Sequence, residues 1–293
     1  MFNKAVSYRF PSLLLDTDFV RVADVRCRAP CSAEREEDVA RTAQVIVPRR
    51  GVFTLRSRGE PVVADPNTAV VLAAGDEYCV THPVSGGDDC TVFVFAPDVL
   101  ESALGTVPPR QATVSAQTQL ATTALTVALR PGVEDALEAE EFCIRLLARF
   151  TADLRALPAG RPAHGRMHQR RRVEAVRELV AGRPEEGWHL AQIAHAVHCS
   201  PFHLARQFRE LTGESIASYV LRLRLAMALD RLADGETSLT RLAVDCGFAH
   251  HSHFSKRFRP MFGVAPATAR TALTRPQLRE LSRIVTAPSP AGP

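Results

Sequence analysis

The sequence predicts a two-domain α+β chain, an N-terminal antiparallel β-barrel with helices followed by an all-α C-terminal half. Three observations predict it. Short apolar runs broken by turn signals fill residues 19–96, and helical spacing of apolar residues follows. The stretch Leu157-Pro158-Ala159-Gly160-Arg161-Pro162-Ala163-His164-Gly165 then breaks regular structure between the two parts. Charge divides at the same place. Residues 166–275 hold 17 Lys and Arg against 10 Asp and Glu, whereas residues 1–165 hold 17 against 21.

The length of 293 residues suits two domains. With 46% hydrophobic and 23% charged residues, global disorder is excluded. No apolar run approaches the roughly 18 residues of a membrane span. The N-terminal MFNKAVSYRFPSLLLDTD has only a short SLLL run and no small-residue cleavage site, so no signal peptide is expected. Seven cysteines, an odd number spread from Cys27 to Cys246, do not form a disulfide framework and fit a reduced cytoplasm.

Strands are expected at Phe19–Val25, Gly51–Arg56, Val62-Val63, Ala69–Leu72, Tyr78–Val80 and Thr91–Phe95. Between them lie the turn signals Arg58-Gly59-Glu60-Pro61, Asp65-Pro66-Asn67, Gly75-Asp76 and Ser85-Gly86-Gly87-Asp88. Helices are expected at 116–129 and 133–157, separated by Pro131-Gly132, then at 169–181, 189–197, 201–211, 215–233, 239–245, 251–261 and about 266–272. A short helix over Gln277–Val285 and a disordered end from Ala287 complete the chain. The expected domains are 1–156, a linker 157–168, a helical domain 169–275 and a tail 276–293.

The helical half contains a repeat. LAQIAHAVHCSPFHLARQFRELTG (Leu190–Gly213) aligns with LTRLAVDCGFAHHSHFSKRFRPMFG (Leu239–Gly263). Leu190, Ile193, Ala194 and Val197 match Leu239, Leu242, Ala243 and Cys246. After one inserted residue, Leu204 and Phe208 match Phe254 and Phe258. Each copy has the form of a helix-turn-helix: a short apolar-faced helix, a tight break (His198-Cys199-Ser200 or Gly247-Phe248-Ala249), and a second helix with polar groups outward. Ser200 can cap that helix, and Pro201 is tolerated in its first turn. Such a helix fits a DNA major groove, with polar side chains at base edges and cationic ones at phosphates. Between the copies, Ser215–Ala233 as one helix spans roughly 28 Å, close to the ~34 Å of a DNA turn. It could therefore hold two such helices in successive grooves.

Residues 169–275 resemble the DNA-binding domain of the AraC/XylS family of bacterial transcription regulators. The matching segments are the capped Ser200–Gly213 helix, Tyr219-x4-Arg224-Leu225-x2-Ala228, Leu242-Ala243-x3-Gly247-Phe248, and Ser252-x-Phe254-x3-Phe258-x4-Gly263-x2-Pro266. By position in that family, the resemblance places Phe202, Ala205 and Arg206 at base-facing sites of the first recognition helix, and His251, Ser252, Ser255 and Lys256 at those of the second. Arg209, His250 and Arg259 are assigned to phosphate. Arg222, Arg224 and Arg231 are open either to phosphate contact or to pairing with Asp230 and Asp234. Phe208, Phe254 and Phe258 are expected in the core. His250-His251-x-His253 reads as exposed and core-edge positions rather than a metal site.

The strands at 19–96 resemble the cupin-like sensor common at this position in the same family. Phe53, Tyr78 and His82 are the candidate effector-pocket residues. A catalytic cupin needs a His-x-His pair, and the N-terminal half has only His82 and His164, so no catalytic residue, cofactor or metal is assigned. Cys27-x3-Cys31 and Cys79-x2-His82…Cys90 could assemble a metal or redox site, against the bland reading of buried apolar thiols. Residues 133–157 resemble the helices through which such sensors dimerise.

The expected function is that of a cytoplasmic, sequence-specific regulator binding double-stranded promoter DNA, a homodimer responding to an unknown small-molecule effector, without membrane attachment. If an activator, the family's commoner mode, it would also engage RNA polymerase. The alternatives are a thiol- or metal-sensing regulator with the same DNA-binding half, or a DNA-tethered repair enzyme. The latter would need a reactive cysteine in a repair domain, and none is apparent.

Overall fold

The computed structural model describes residues 9–57, 61–105, 110–133, 135–155 and 167–274, together with Leu278. Most of the expected linker, the tail and the helix at 277–285 lie outside the described residues.

The N-terminal half is built of two antiparallel sheets. The larger has six strands in the order β1 (Arg9–Asp16), β2 (Val20–Cys27), β9 (Asp88–Phe95), β4 (Gln44–Gly51), β7 (Thr68–Leu72) and β10 (Gln111–Thr113). The smaller has four, in the order β3 (Ser32–Val39), β8 (Glu77–His82), β5 (Phe53–Arg56) and β6 (Val62–Ala64). Pairing among the described strands therefore gives two sheets rather than one closed ring. Phe53, Leu55, Val80, Cys90 and Val92 belong to the apolar cluster between them.

The outer face of the six-stranded sheet is covered by α2 (Ala116–Leu129) and α3 (Ala136–Arg155), through Phe93, Phe95, Leu125, Phe142 and Phe150. A short α1 (Pro97–Leu104) precedes them. Both faces of β9 are thus covered and all eight of its residues are buried, which explains its near-continuous apolar run.

Four strands were not expected from the sequence: β1, β3, β4 and the three-residue β10. β1 lies near the N-terminus. β3 has the polar sequence SAEREEDV, which lacks an apolar period. β4 contains Pro48, which cannot donate to the ladder. The β4–β9 register shifts between Pro48 and Arg50, and this bulge leaves Arg49 as the extra residue. Arg49 is buried, with Nη2 donating to Asp24 Oδ1 at 2.6 Å and Nη1 to Thr91 Oγ1 at 2.8 Å.

The C-terminal half is helical: α4 (Met167–Gly182), α5 (Leu190–Ala196), α6 (Pro201–Thr212), α7 (Ile216–Ala233), α8 (Leu239–Asp245), α9 (His251–Phe262) and α10 (Pro266–Thr274). Local chemistry sets the ends. Ser200, Ser215 and Ser238 cap α6, α7 and α8 by accepting from the third residue on. Gly213 and Gly263 close α6 and α9 in the left-handed conformation.

The long α7 belongs to two cores. Its first half (Ile216, Tyr219, Val220, Leu223) packs with Ile193, Leu204 and Phe208. Its second half (Leu225, Ala228, Leu229, Leu232) packs with Leu242, Phe254 and Phe258. The second cluster is continuous with the core of the six-stranded sheet, and the first takes in Val52 and Val63 of the N-terminal half. The two halves are packed together, a contact that nothing in the sequence announced.

Candidate nucleic-acid interface

The two helix-turn-helix units present the outer faces of α6 and α9. On α6, Phe202 is 74% exposed. Arg206 and Arg209 are exposed, and Ala205 is half-buried beside them. Arg206 Nε lies 3.4 Å from Glu210 Oε1, both side chains being largely in solvent. Such a pair is worth little and yields to a stronger anion. Leu204 and Phe208 are fully buried on the opposite face, so the polar face is fixed in orientation.

On α9, His251, Ser252, Lys256 and Arg259 are exposed, and Ser255 is half-buried. Ser255 Oγ lies 3.3 Å from His251 Nε2. His250, assigned to phosphate on sequence, is the N-cap: its Nδ1 accepts from His253 N at 3.2 Å and lies 2.8 Å from Ser252 Oγ. Any phosphate contact would have to use its other ring nitrogen. Phe254 and Phe258 are buried as expected. Arg257, also exposed on this helix, was not singled out. Its place between Lys256 and Phe258 was the available signal.

The three arginines left open on sequence are occupied internally. Arg224 donates to three carbonyls, those of Pro184 (2.7 Å), Gly247 (2.8 Å) and Glu186 (2.6 Å). It ties the turn before α5 to the turn of the second unit. Arg222 bonds Glu214 Oε1 and Val114 O. Arg231 bonds Asp245 and Glu236. Asp230, the expected partner of these arginines, instead accepts from Arg49 of the N-terminal half at 3.3 Å.

Buried charge holds the two halves together. Asp65 Oδ2 accepts from Arg177 Nη2 at 2.7 Å and from Tyr219 Oη at 2.6 Å. Burial and the Asp65 carboxylate push the Tyr219 phenol well up, so it stays a donor. Burial opposes the Arg177 charge, but Asp65 and Glu174 outweigh it. On the other side, burial pushes the Asp230 carboxyl up despite Arg49, and its Oδ2 has no hydrogen-bond partner. Burial also opposes ionisation of Asp24, yet Arg49, Arg130 and Arg26 hold its carboxyl below the usual range.

The N-terminal half contains a cavity of about 130 Å³ between its two sheets. Phe53 and Tyr78 line it, as do Arg21, Arg41, Cys27 and Asp88. His82 stands behind this wall, with Nε2 2.8 Å from Asp88 Oδ1. The three sequence-predicted pocket residues are thus at or against one cavity. Burial opposes protonation of His82, but its bonds to Asp88 and Cys27 win and raise it to about 9. No described helix is long and apolar enough to cross a membrane.

Residues 193–272 match the family model described as a helix-turn-helix domain. The chain is 33% identical over 99 residues to the uncharacterized HTH-type transcriptional regulator YidL of Escherichia coli (strain K12), covering 34% of this chain and 33% of that protein. It is 42% identical over 67 residues to the HTH-type transcriptional activator RhaS of Pectobacterium carotovorum subsp. carotovorum (strain PC1), covering 23% and 24% respectively. The chain thus spans about a third or less of these relatives. Among solved structures, a transcriptional regulator from Chromobacterium violaceum, described with AraC-type DNA-binding domain-containing proteins, is 28% identical. That likeness covers 37% of this chain and 96% of the other, with a TM-score of 0.35.

Proposed function

We propose that this chain, whose residues 193–272 match a helix-turn-helix domain, is a cytoplasmic, effector-responsive regulator of transcription of the AraC type that reads promoter DNA with α6 and α9 together. The observation that carries this reading is α7. It is buried along its length and shared between the cores of both units. Its 18 residues make a rod of about 27 Å, which sets the two outward faces at a fixed separation and phase. Phe202, Ala205 and Arg206 on α6, and His251, Ser252, Ser255 and Lys256 on α9, are the base-facing set. Arg209, His250 and Arg259 are the phosphate contacts.

Residues 1–156 form a cupin-like sensor, 157–168 a linker, 169–275 the reader and 276–293 a tail. The effector enters the cavity by Phe53, Tyr78 and His82. Two copies pair along α3, where Leu137 and Ile144, seven residues apart, are 66% and 50% exposed. As an activator, the dimer would present RNA polymerase with a surface beside the promoter.

The test is a footprint of the full chain on its promoter region, repeated with two to five base pairs inserted between the two subsites. A rigid spacer predicts loss of the two-groove footprint at about half a helical turn. Undiminished affinity with a footprint that merely lengthens would refute the fixed-phase reader.

A further inference from the structure

We infer that the N-terminal half holds a divalent transition-metal ion of the Zn2+ class, ligated by Cys27, His82 and Asp88, with its fourth position facing the cavity between the sheets. The three residues come from three strands, β2, β8 and β9, and all are buried. Cys27 Sγ lies 3.5 Å from His82 Nε2, and Asp88 Oδ1 lies 2.8 Å from that same nitrogen. All three donor atoms fall within 4.8 Å of one another.

The pattern separates a metal site from its rivals. In a nucleophile relay the imidazole would use opposite nitrogens for thiol and carboxylate. Here sulfur and oxygen both face Nε2, so the donors converge on one point. Bonds of about 2.3 Å to sulfur and 2.0–2.2 Å to nitrogen and oxygen place tetrahedral ligands about 3.3–3.6 Å apart. The sulfur–nitrogen spacing already has that value, and the nitrogen–oxygen spacing needs to open by about 0.5 Å.

A disulfide switch is disfavoured by register. Cys90 faces Val25 across the β2–β9 pair, so Cys27 is its diagonal neighbour at about 7–8 Å, beyond the roughly 6.8 Å a disulfide spans. Cys31 and Cys79, paired with these residues by sequence spacing alone, do not join the cluster.

The backbone and an outer shell hold the donors in place. Gly87 has φ +69°, and a Cβ there would come within 2.2 Å of Cys27 O. The turn before Asp88 is therefore pressed directly onto the end of β2. The second carboxylate oxygen of Asp88 accepts from Cys90 Sγ at 2.9 Å, the kind of contact that orients a ligand. A mixed thiolate, imidazole and carboxylate set with three protein ligands suits Zn2+ with one open position. Cys27, Asp88 and Cys90 line the cavity, so a water or a donor atom of a cavity ligand completes the tetrahedron.

The probe is Co2+ added to the chelator-treated full chain, followed by competition with Zn2+. We expect one equivalent per chain, a thiolate-to-cobalt charge-transfer band, and displacement by Zn2+. Cys27→Ser should abolish the band. His82→Gln should weaken binding more than about 100-fold, the upper end of what losing an outer-shell contact costs. Cys90→Ala should keep the band and weaken binding about 10–100-fold. Cys31→Ala and Cys79→Ala should change nothing. Absence of stoichiometric Co2+ or of the band in the wild-type chain, or a band that survives Cys27→Ser, would overturn the assignment. These readouts are independent of DNA binding, so the site and the regulator reading fail separately.

Discussion

The repeat supplies a paired experiment on one turn. Gly247 and His198 follow matching positions of the two short helices, and both have positive φ, +78° and +50°. The second unit meets the requirement with glycine and the first does not. Gly247→Ala puts a Cβ 2.5 Å from Glu185 O and 2.9 Å from Arg224 Cζ, so Arg224 must move. The left-handed backbone costs about 1–2 kcal/mol for a non-glycine residue. A stiffer unfolded chain returns about 0.4–1, and weakening one charged hydrogen bond of Arg224 adds about 1.5–3. The net expectation is a loss of about 2–4 kcal/mol.

His198→Gly relieves the same strain at the cost of chain entropy, a gain of up to about 1 kcal/mol. His198→Ala, which exchanges one Cβ residue for another, should be close to neutral. Trp188 is the only tryptophan and follows the turn that Arg224 grips, so its fluorescence reports locally during denaturant unfolding. Midpoint shifts at constant slope measure the three changes. A Gly247→Ala loss within about 0.5 kcal/mol, the usual range of a neutral surface change, would refute the steric argument.

Other outcomes follow from the same structure. Asp65→Ala leaves the buried Arg177 with only Glu174 as a carboxylate partner and should cost up to about 3–5 kcal/mol, while Tyr219→Phe should cost about 1.5–3; equal unfolding midpoints for wild type and Asp65→Ala would exclude this clasp. Arg206→Ala should relax discrimination at one or two bases by about 1–3 kcal/mol, and Arg259→Ala should weaken specific and random DNA alike, as titrations on both DNAs will show. Leu225→Pro, inside α7, should cost about 3 kcal/mol or more and abolish the two-groove footprint. Leu137→Glu with Ile144→Glu should shift the chain to monomer in sedimentation; an unchanged dimer would move the contact off α3.

The helices of both halves were legible because their determinants are local. Serine caps, glycine stops and 3.6-residue periods all act within a few positions, so α2 and α8 coincide with the expected bounds. The β half was only partly legible. β3 has no apolar period, and β4 carries a proline that only a bulge accommodates. Non-local chemistry was out of reach. Cys27 and His82 are 55 residues apart, and Arg49 and Asp230 are 181 apart. Neither residue of either pair carries a signal of the other. Arg224, read as free for phosphate or an acid, binds carbonyls, which leave no trace in a sequence.

The border between the two halves limits how freely they can be exchanged. Asp65 and Arg49 sit on one side, and their partners Arg177, Tyr219 and Asp230 on the other. A chimera that joins this helical half to a foreign N-terminal half would inherit two arrangements of buried charge with half their members missing. The helical half would keep its own caps and phenylalanines, yet would lose stability where the graft meets it. Exchange should succeed only when position 65 and position 49 travel with residues 177, 219 and 230, so the unit of inheritance is the matched pair of surfaces, not either domain.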